Sequence, residues 1–182
     1  YTRELEELES ANETLQQTDY ALRMSTAASE RTVNVSHKIV SPKIAGFISF
    51  SRMSVGDLKM GSDGPDSYLR SFYVKSDGGK DQVVQNEDPQ KQVGSGFDSY
   101  HFTAKARHRI SKEWHQQLGL FFNTTSDFGR YDRLIQTRKG LPRSAEWYYG
   151  PQQWLMTYYK LTQEAEKTRH QFSAAYQRFN ES

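Results

Sequence analysis

The densest concentration of side chains able to hold a small molecule begins with Arg130, Tyr131 and Arg133. It continues through Arg138, Lys139 and Arg143 and ends in Trp147, Tyr148 and Tyr149. Flat aromatic rings give contact area at little entropic cost, and guanidinium forks pair with carboxylates or phosphate-like groups. Between Thr125 and Gln152 five basic residues stand against three acidic ones, a modest excess that favours an anionic guest. Arg130, Tyr131, Arg133, Trp147, Tyr148 and Tyr149 are therefore the candidate ligand contacts. The competing role for the same rings is to staple their own loop against its neighbours, or to lie in an interfacial aromatic belt.

Other chemistry is thinner. Asp57, Asp63, Asp66, Glu87 and Asp88 crowd one segment and offer the hard oxygens that Ca²⁺ takes, but their spacing matches no calcium loop. His37, His101, His108, His115 and His170 show no metal-ligand spacing, and His101 shares an alternating polar face with Lys105 and Arg107. Gly61-Ser62-Asp63-Gly64-Pro65 is a turn, without the Lys and helix of a phosphate loop, and no nucleophile elbow or dinucleotide fingerprint is present. Asn34-Val35-Ser36 and Asn123-Thr124-Thr125 match glycosylation sequons but fall within strand patterns. We expect no enzymatic activity, no cofactor and no metal.

Composition narrows the class further. A formal charge of +2 is too weak a field to argue for nucleic acid. The absence of Cys excludes thiolate metal sites and a disulfide scaffold. No stretch approaches the roughly 18–20 apolar residues of a membrane-spanning helix. A mean hydropathy of −0.86 together with 13% aromatic residues still suits strands that are polar at every second position. Tyr1 in place of an initiating Met, with no charged-then-apolar leader after it, reads as an excerpt or a processed product.

The elements that must position the candidate residues follow a period of two. Tyr100, Phe102, Ala104 and Ala106 alternate with His101, Thr103 and Lys105, and Leu118, Leu120 and Phe122 repeat the pattern after a turn at Ser111 and Lys112. Tyr20, Leu22 and Met24, then Val33 and Val35, then Ile44, Gly46, Ile48 and Phe50 mark three earlier strands. Phe172, Ala174 and Tyr176 mark the last one. Residues 154–161 carry bulky side chains on both faces and complete a set of seven, each about ten residues long. The connections are residues 27–30, 41–43, 56–96, 110–113, 126–152 and 162–168. After the first hairpin they alternate short and long, so every long loop falls at one end, as in an outer-membrane barrel with short periplasmic turns. Within 56–96, β-prone residues 68–74 and 82–85 flank Ser76-Asp77-Gly78-Gly79-Lys80, which predicts a projecting hairpin. Leu5, Leu8 and Leu15 lie at helical spacing among Glu residues, although a connector is the preferred reading of 1–17.

Two long blocks, Thr125-Ser126-Asp127-Phe128-Gly129-Arg130-Tyr131-Asp132-Arg133-Leu134 and Ala145-Glu146-Trp147-Tyr148-Tyr149-Gly150-Pro151-Gln152, carry a resemblance. With Gly56-Asp57-Leu58-Lys59-Met60-Gly61 and Asn86-Glu87-Asp88-Pro89, they resemble outer loops of TonB-dependent outer-membrane receptors of the Bacteroidetes type. Tyr1-Thr2-Arg3 is similar to the last strand of that family's plug. The resemblance implies an all-β fold, an antiparallel transmembrane β-barrel fragment holding roughly the first third of a barrel of about 22 strands. Residues 1–17 would then be the end of the plug and its connector, and 18–182 the N-terminal part of the barrel. It further implies energy-coupled uptake of a scarce nutrient such as a ferric siderophore, haem or cobalamin. The implied partners are that ligand, outer-membrane lipid, and the TonB complex acting through the missing plug. The alternative from another class is a soluble β-sandwich that binds carbohydrate, in which the apolar faces at 100–106 and 118–122 pack on a second sheet of this chain.

Overall fold

Alternation of branched or aromatic residues with polar ones favours extended backbone that shows one face to each environment. The computed structural model, which describes residues 13–181, realises that pattern along most of the chain. Its strands are β1 (Leu15–Ser25), β2 (Glu30–Val40), β3 (Ile44–Val55), β4 (Phe72–Asp77), β5 (Lys80–Gln85), β6 (Phe97–Arg109) and β7 (Trp114–Thr125). After these come β8 (Phe128–Gly129), β9 (Thr137–Arg138), β10 (Leu141–Pro142), β11 (Tyr148–Tyr149), β12 (Gln152–Glu164) and β13 (Arg169–Glu181). A single helical turn, α1 (Tyr131–Leu134), lies between β8 and β9.

Seven strands form one antiparallel sheet in the order β1-β2-β3-β6-β7-β12-β13, a meander in which each strand pairs with its predecessor in the sheet. All seven segments predicted from alternation are in it, including the ambiguous one, which is β12. The strands run from 11 to 13 residues, longer than predicted because backbone pairing continues past the last apolar side chain into residues such as Arg107 and Glu164. Among the described residues no strand pairs with the outer edge of β1 or of β13, so the sheet is open. Leu15, Gln16 and Gln17 already belong to β1; the plug-end reading of the residues before Glu13 lies outside the described residues.

The register sorts side chains into two faces. Tyr20, Val35, Phe50, Phe102, Phe122 and Leu155 form one row across six strands, and Ile48, Ala104 and Leu120 belong to the next. The opposite face is mixed: it carries Asp19, Ser36, Ser49, Thr103 and Phe121 in one row and Gln17, Lys38, Phe47 and Lys105 in another, with Phe121 beside Trp154 and Tyr158. Exposure runs against what water would select. On the interior strands Ile48, Phe50 and Leu118 are 53%, 49% and 53% exposed on the apolar face, whereas Ser99, Arg107 and Thr162 are buried on the polar one; β1 and β13 are exposed on both faces. The only buried hydrophobic residues described are Val40 and Ala45, so this sheet has no oil-like core of its own.

Three tight turns, residues 41–43, 110–113 and 165–168, lie at one end of the sheet. Ser41 and Ser111 build two of them: the Ser41 hydroxyl accepts from the Ile44 N–H (3.2 Å) and donates to its carbonyl (3.0 Å), while the Ser111 hydroxyl accepts from the Trp114 N–H (3.1 Å). Residues 26–29, 56–96 and 126–151 connect strands at the other end. The predicted projecting hairpin is β4–β5, turned by Gly78 (φ 56°) and Gly79 (φ 78°), a left-handed pair that only Gly adopts without strain.

Candidate functional site

Loop 126–151 folds back on itself. β8 and β11 pair so that Gly129 faces Tyr148 and Phe128 faces Tyr149, and the Arg130 N–H donates to the Trp147 carbonyl at 2.7 Å. Adjacent strand residues point to opposite sides: Tyr149 meets Phe128 (6.1 Å between ring centroids), and both tyrosines stay exposed, Tyr149 at 42% and Tyr148 at 52%. The ring of Phe128 also meets Phe97 at the root of β6, at 6.1 Å, which ties the loop to the sheet.

The guanidinium of Arg130 grips Asp132 with Nε (2.9 Å) and Nη2 (2.6 Å), donates to the Tyr149 hydroxyl at 2.5 Å, and lies 4.9 Å from that ring's centroid. Arg133 stacks over Trp147 at 5.5 Å. The hydrogen-bonded pair raises the Arg130 pKa and holds the Asp132 carboxyl below the usual carboxylate range. Four of the six predicted contacts, Arg130, Arg133, Trp147 and Tyr149, thus come together, and they bind one another. In this arrangement the four side chains staple their own loop together.

Tyr131 leaves this group and faces loop 56–96. Burial pushes its phenol pKa up, against the opposing pull of the nearby Arg70 charge. The two loops touch where Gly129 passes Gly94: a Cβ on Gly129 would run into the Gly94 carbonyl oxygen and press on Leu134. Asp57 anchors the loop 56–96 side of the seam. One of its oxygens accepts from the N–H groups of Gly94, Ser95 and Gly96 at 2.9–3.1 Å, and the other pairs with Lys91 at 3.4 Å.

Between the loops lies a cavity of about 460 Å³, lined among others by Arg70, Tyr73, Lys91, Tyr131, Leu134 and Glu146. That size falls in the ~300–1,000 Å³ range of small-molecule sites. Of its polar residues only Tyr131 was a sequence candidate. Arg70, Asn86 and Lys91 come from a segment whose tertiary partners no local spacing reveals. A second depression of about 580 Å³ lies on the apolar face over Gly46, Ala104 and Ala106, and its mostly apolar lining offers little to orient a ligand.

The acidic residues of loop 56–96 do not gather. Asp57 is engaged as described, and Asp88 pairs with Lys59 at 2.6 Å, a hydrogen bond that lowers its pKa. No group of three or more His, Cys, Asp or Glu side chains able to hold a metal ion occurs among the described residues. His101 lies on the polar face as predicted, within hydrogen-bond distance of Ser99 (2.6 Å) and Asn123 (2.8 Å). Compared with known proteins, the chain matches no protein-family model, no curated protein and no solved structure.

Proposed function

We propose that this chain is the N-terminal part of the transmembrane β-barrel of a TonB-dependent outer-membrane receptor, whose outer loops capture a scarce nutrient such as a ferric siderophore, haem or cobalamin. The observation that carries the reading is the reversed amphipathy of the sheet, with aliphatic and aromatic side chains turned outward and the polar face the more enclosed. In water such a sheet exposes hundreds of square ångströms at roughly 25 cal/mol per Å²; against lipid the same exposure is favourable. Strand length agrees: 12 residues, as in β3, at ~3.4 Å each and tilted about 45° cross roughly 29 Å, close to the ~30 Å hydrocarbon layer.

Long connections at one end and tight turns at the other give the sheet a direction, and loops 56–96 and 126–151 become its ligand-facing side. Energy coupling would pass through the TonB complex and a plug, and it rests on the family resemblance alone. A soluble sandwich would need a second layer over Phe102 and Leu120. Among the described residues the remaining strands are two-residue pairs and the β4–β5 hairpin, all within the two long loops.

The test is fractionation of the full-length protein from its native host, with proteolysis of intact cells aimed at Arg138-Lys139-Gly140. That tip is an exposed hairpin turn between β9 and β10, with Lys139 and Gly140 both at positive φ. Recovery in the outer membrane with cleavage at the tip is the expected result. Recovery as a soluble protein would overturn the proposal.

A further inference from the structure

The cavity at the loop seam is separate from the ring-and-guanidinium staple, and it is built differently. Asn86, almost wholly buried, donates from Nδ2 to the carbonyls of Arg70 (2.9 Å) and Lys91 (3.0 Å), which fixes where two cation-bearing segments meet the cavity. Arg70 uses Nη1 on the carbonyls of Ser67 and Leu69, both at 3.0 Å, while its solvent-shielded Nε finds no hydrogen-bond partner. A guanidinium has five N–H donors in a fixed fork, and the two carbonyls engage only Nη1, so Arg70 keeps donors for an anion in the cavity it lines. Arg70, Lys75 and Lys91 line the cavity against the one carboxylate of Glu146, and Lys91 is shared with Asp57 outside the lining, so a positive excess remains. The rest of the wall is mixed, with Ser71, Ser76, Asn86, Thr137 and Ser144 beside an apolar part in which Leu134 and the Tyr131 ring face loop 56–96. A bare inorganic anion would leave the apolar part of that wall, Phe72, Val74, Leu134 and Ile135, uncovered, and a neutral guest would leave the cations uncompensated.

We infer that the inter-loop cavity binds a small organic anion, a carboxylate on an aromatic or alicyclic body. Arg70 anchors its charged end, and Tyr131 and Leu134 pack on the body. The inference rests on the reading of these loops as ligand-capturing and narrows it to one guest class and one set of residues.

The experiment is calorimetric titration of the full-length protein with 2-naphthoate, with 2-naphthamide as a neutral probe of similar shape and protein-free micelles as blank. Naphthoate is expected to bind at least about tenfold more tightly than naphthamide, the scale of one charge-assisted contact. Arg70→Gln should weaken naphthoate about tenfold and leave naphthamide unchanged, whereas Arg138→Gln, in β9 outside the cavity, should change neither. Absence of naphthoate binding, equal binding of the two probes, or an Arg70→Gln variant with the parent's affinity would overturn the inference. If Arg70→Gln does not fold, Ala145→Trp, which fills the cavity from the loop 126–151 side, must abolish naphthoate binding; retention of binding would overturn the inference as well. Fractionation separates the two ideas. A protein recovered in the outer membrane that binds no naphthoate sinks the cavity assignment alone, and a soluble protein that binds it sinks only the transport reading.

Discussion

At Arg130 one side chain closes a chelate with Asp132, donates to a phenol and covers that phenol's ring, so the loop's fold depends on a carboxylate that must stay ionised. Asp132 has its pKa lowered in the folded loop by the Arg130 hydrogen bond. A lowered folded-state pKa gives stabilisation that is complete above the unfolded value of about 3.9 and is lost as pH falls through the folded value. Trp147 reports on this because Arg133, also close to Asp132, stacks on its ring. In a variant with Trp114 and Trp154 changed to Phe, Trp147 emission should hold steady from neutral pH down to about pH 4 and change below it. A midpoint above pH 6 would contradict the assignment. Surface ion pairs are weak in isolation, so the expected response is loosening of the loop and not unfolding of the sheet.

Among the elements, the seam between the long loops is the sensitive joint. Gly129→Ala would drive a Cβ into the Gly94 carbonyl, and backbone overpacking of this kind costs about 1–3 kcal/mol. Proteolysis at Arg138-Lys139-Gly140 should then speed up by about tenfold while strand amides keep their hydrogen-exchange protection; unchanged cleavage would show that the loops are not held at this joint. The strands themselves were legible because a period of two in Tyr100, Phe102, Ala104 and Ala106 is written locally and each strand pairs with its predecessor in the sheet. The β4–β5 hairpin was legible through Gly78-Gly79, although β4 starts at Phe72 because residues 66–68 form a 3-10 turn. The seam was not legible. Asn86 holding Arg70, Asp57 holding Gly94, and Gly129 passing Gly94 join segments far apart in sequence through contacts that have no period. The aromatic and basic cluster was found by composition, but composition did not show that Arg130 would be satisfied by Asp132 only two residues away.

For the whole molecule, the two faces of the sheet make opposite demands on a charge. Phe102 and Thr103 are neighbours on β6 and look to opposite sides. If the apolar face meets lipid, Phe102→Lys should cost about 2–4 kcal/mol near mid-membrane and Thr103→Lys little, measured as folding of the full-length protein into lipid vesicles. Equal costs would contradict the orientation. The meander has a consequence for assembly. Since every strand is laid against the one before it, each pairing sets its own register, and β1 and β2 are joined by only the four residues 26–29. A slip of one residue at that first pairing would set β1 against the rest of the wall, bringing Asp19 to the side of Val35, Phe50 and Phe102 and Tyr20 to the side of Ser36, Ser49 and Thr103. Such an error stays at one seam and is mended by re-pairing one strand, so the fidelity of the sheet is decided hairpin by hairpin.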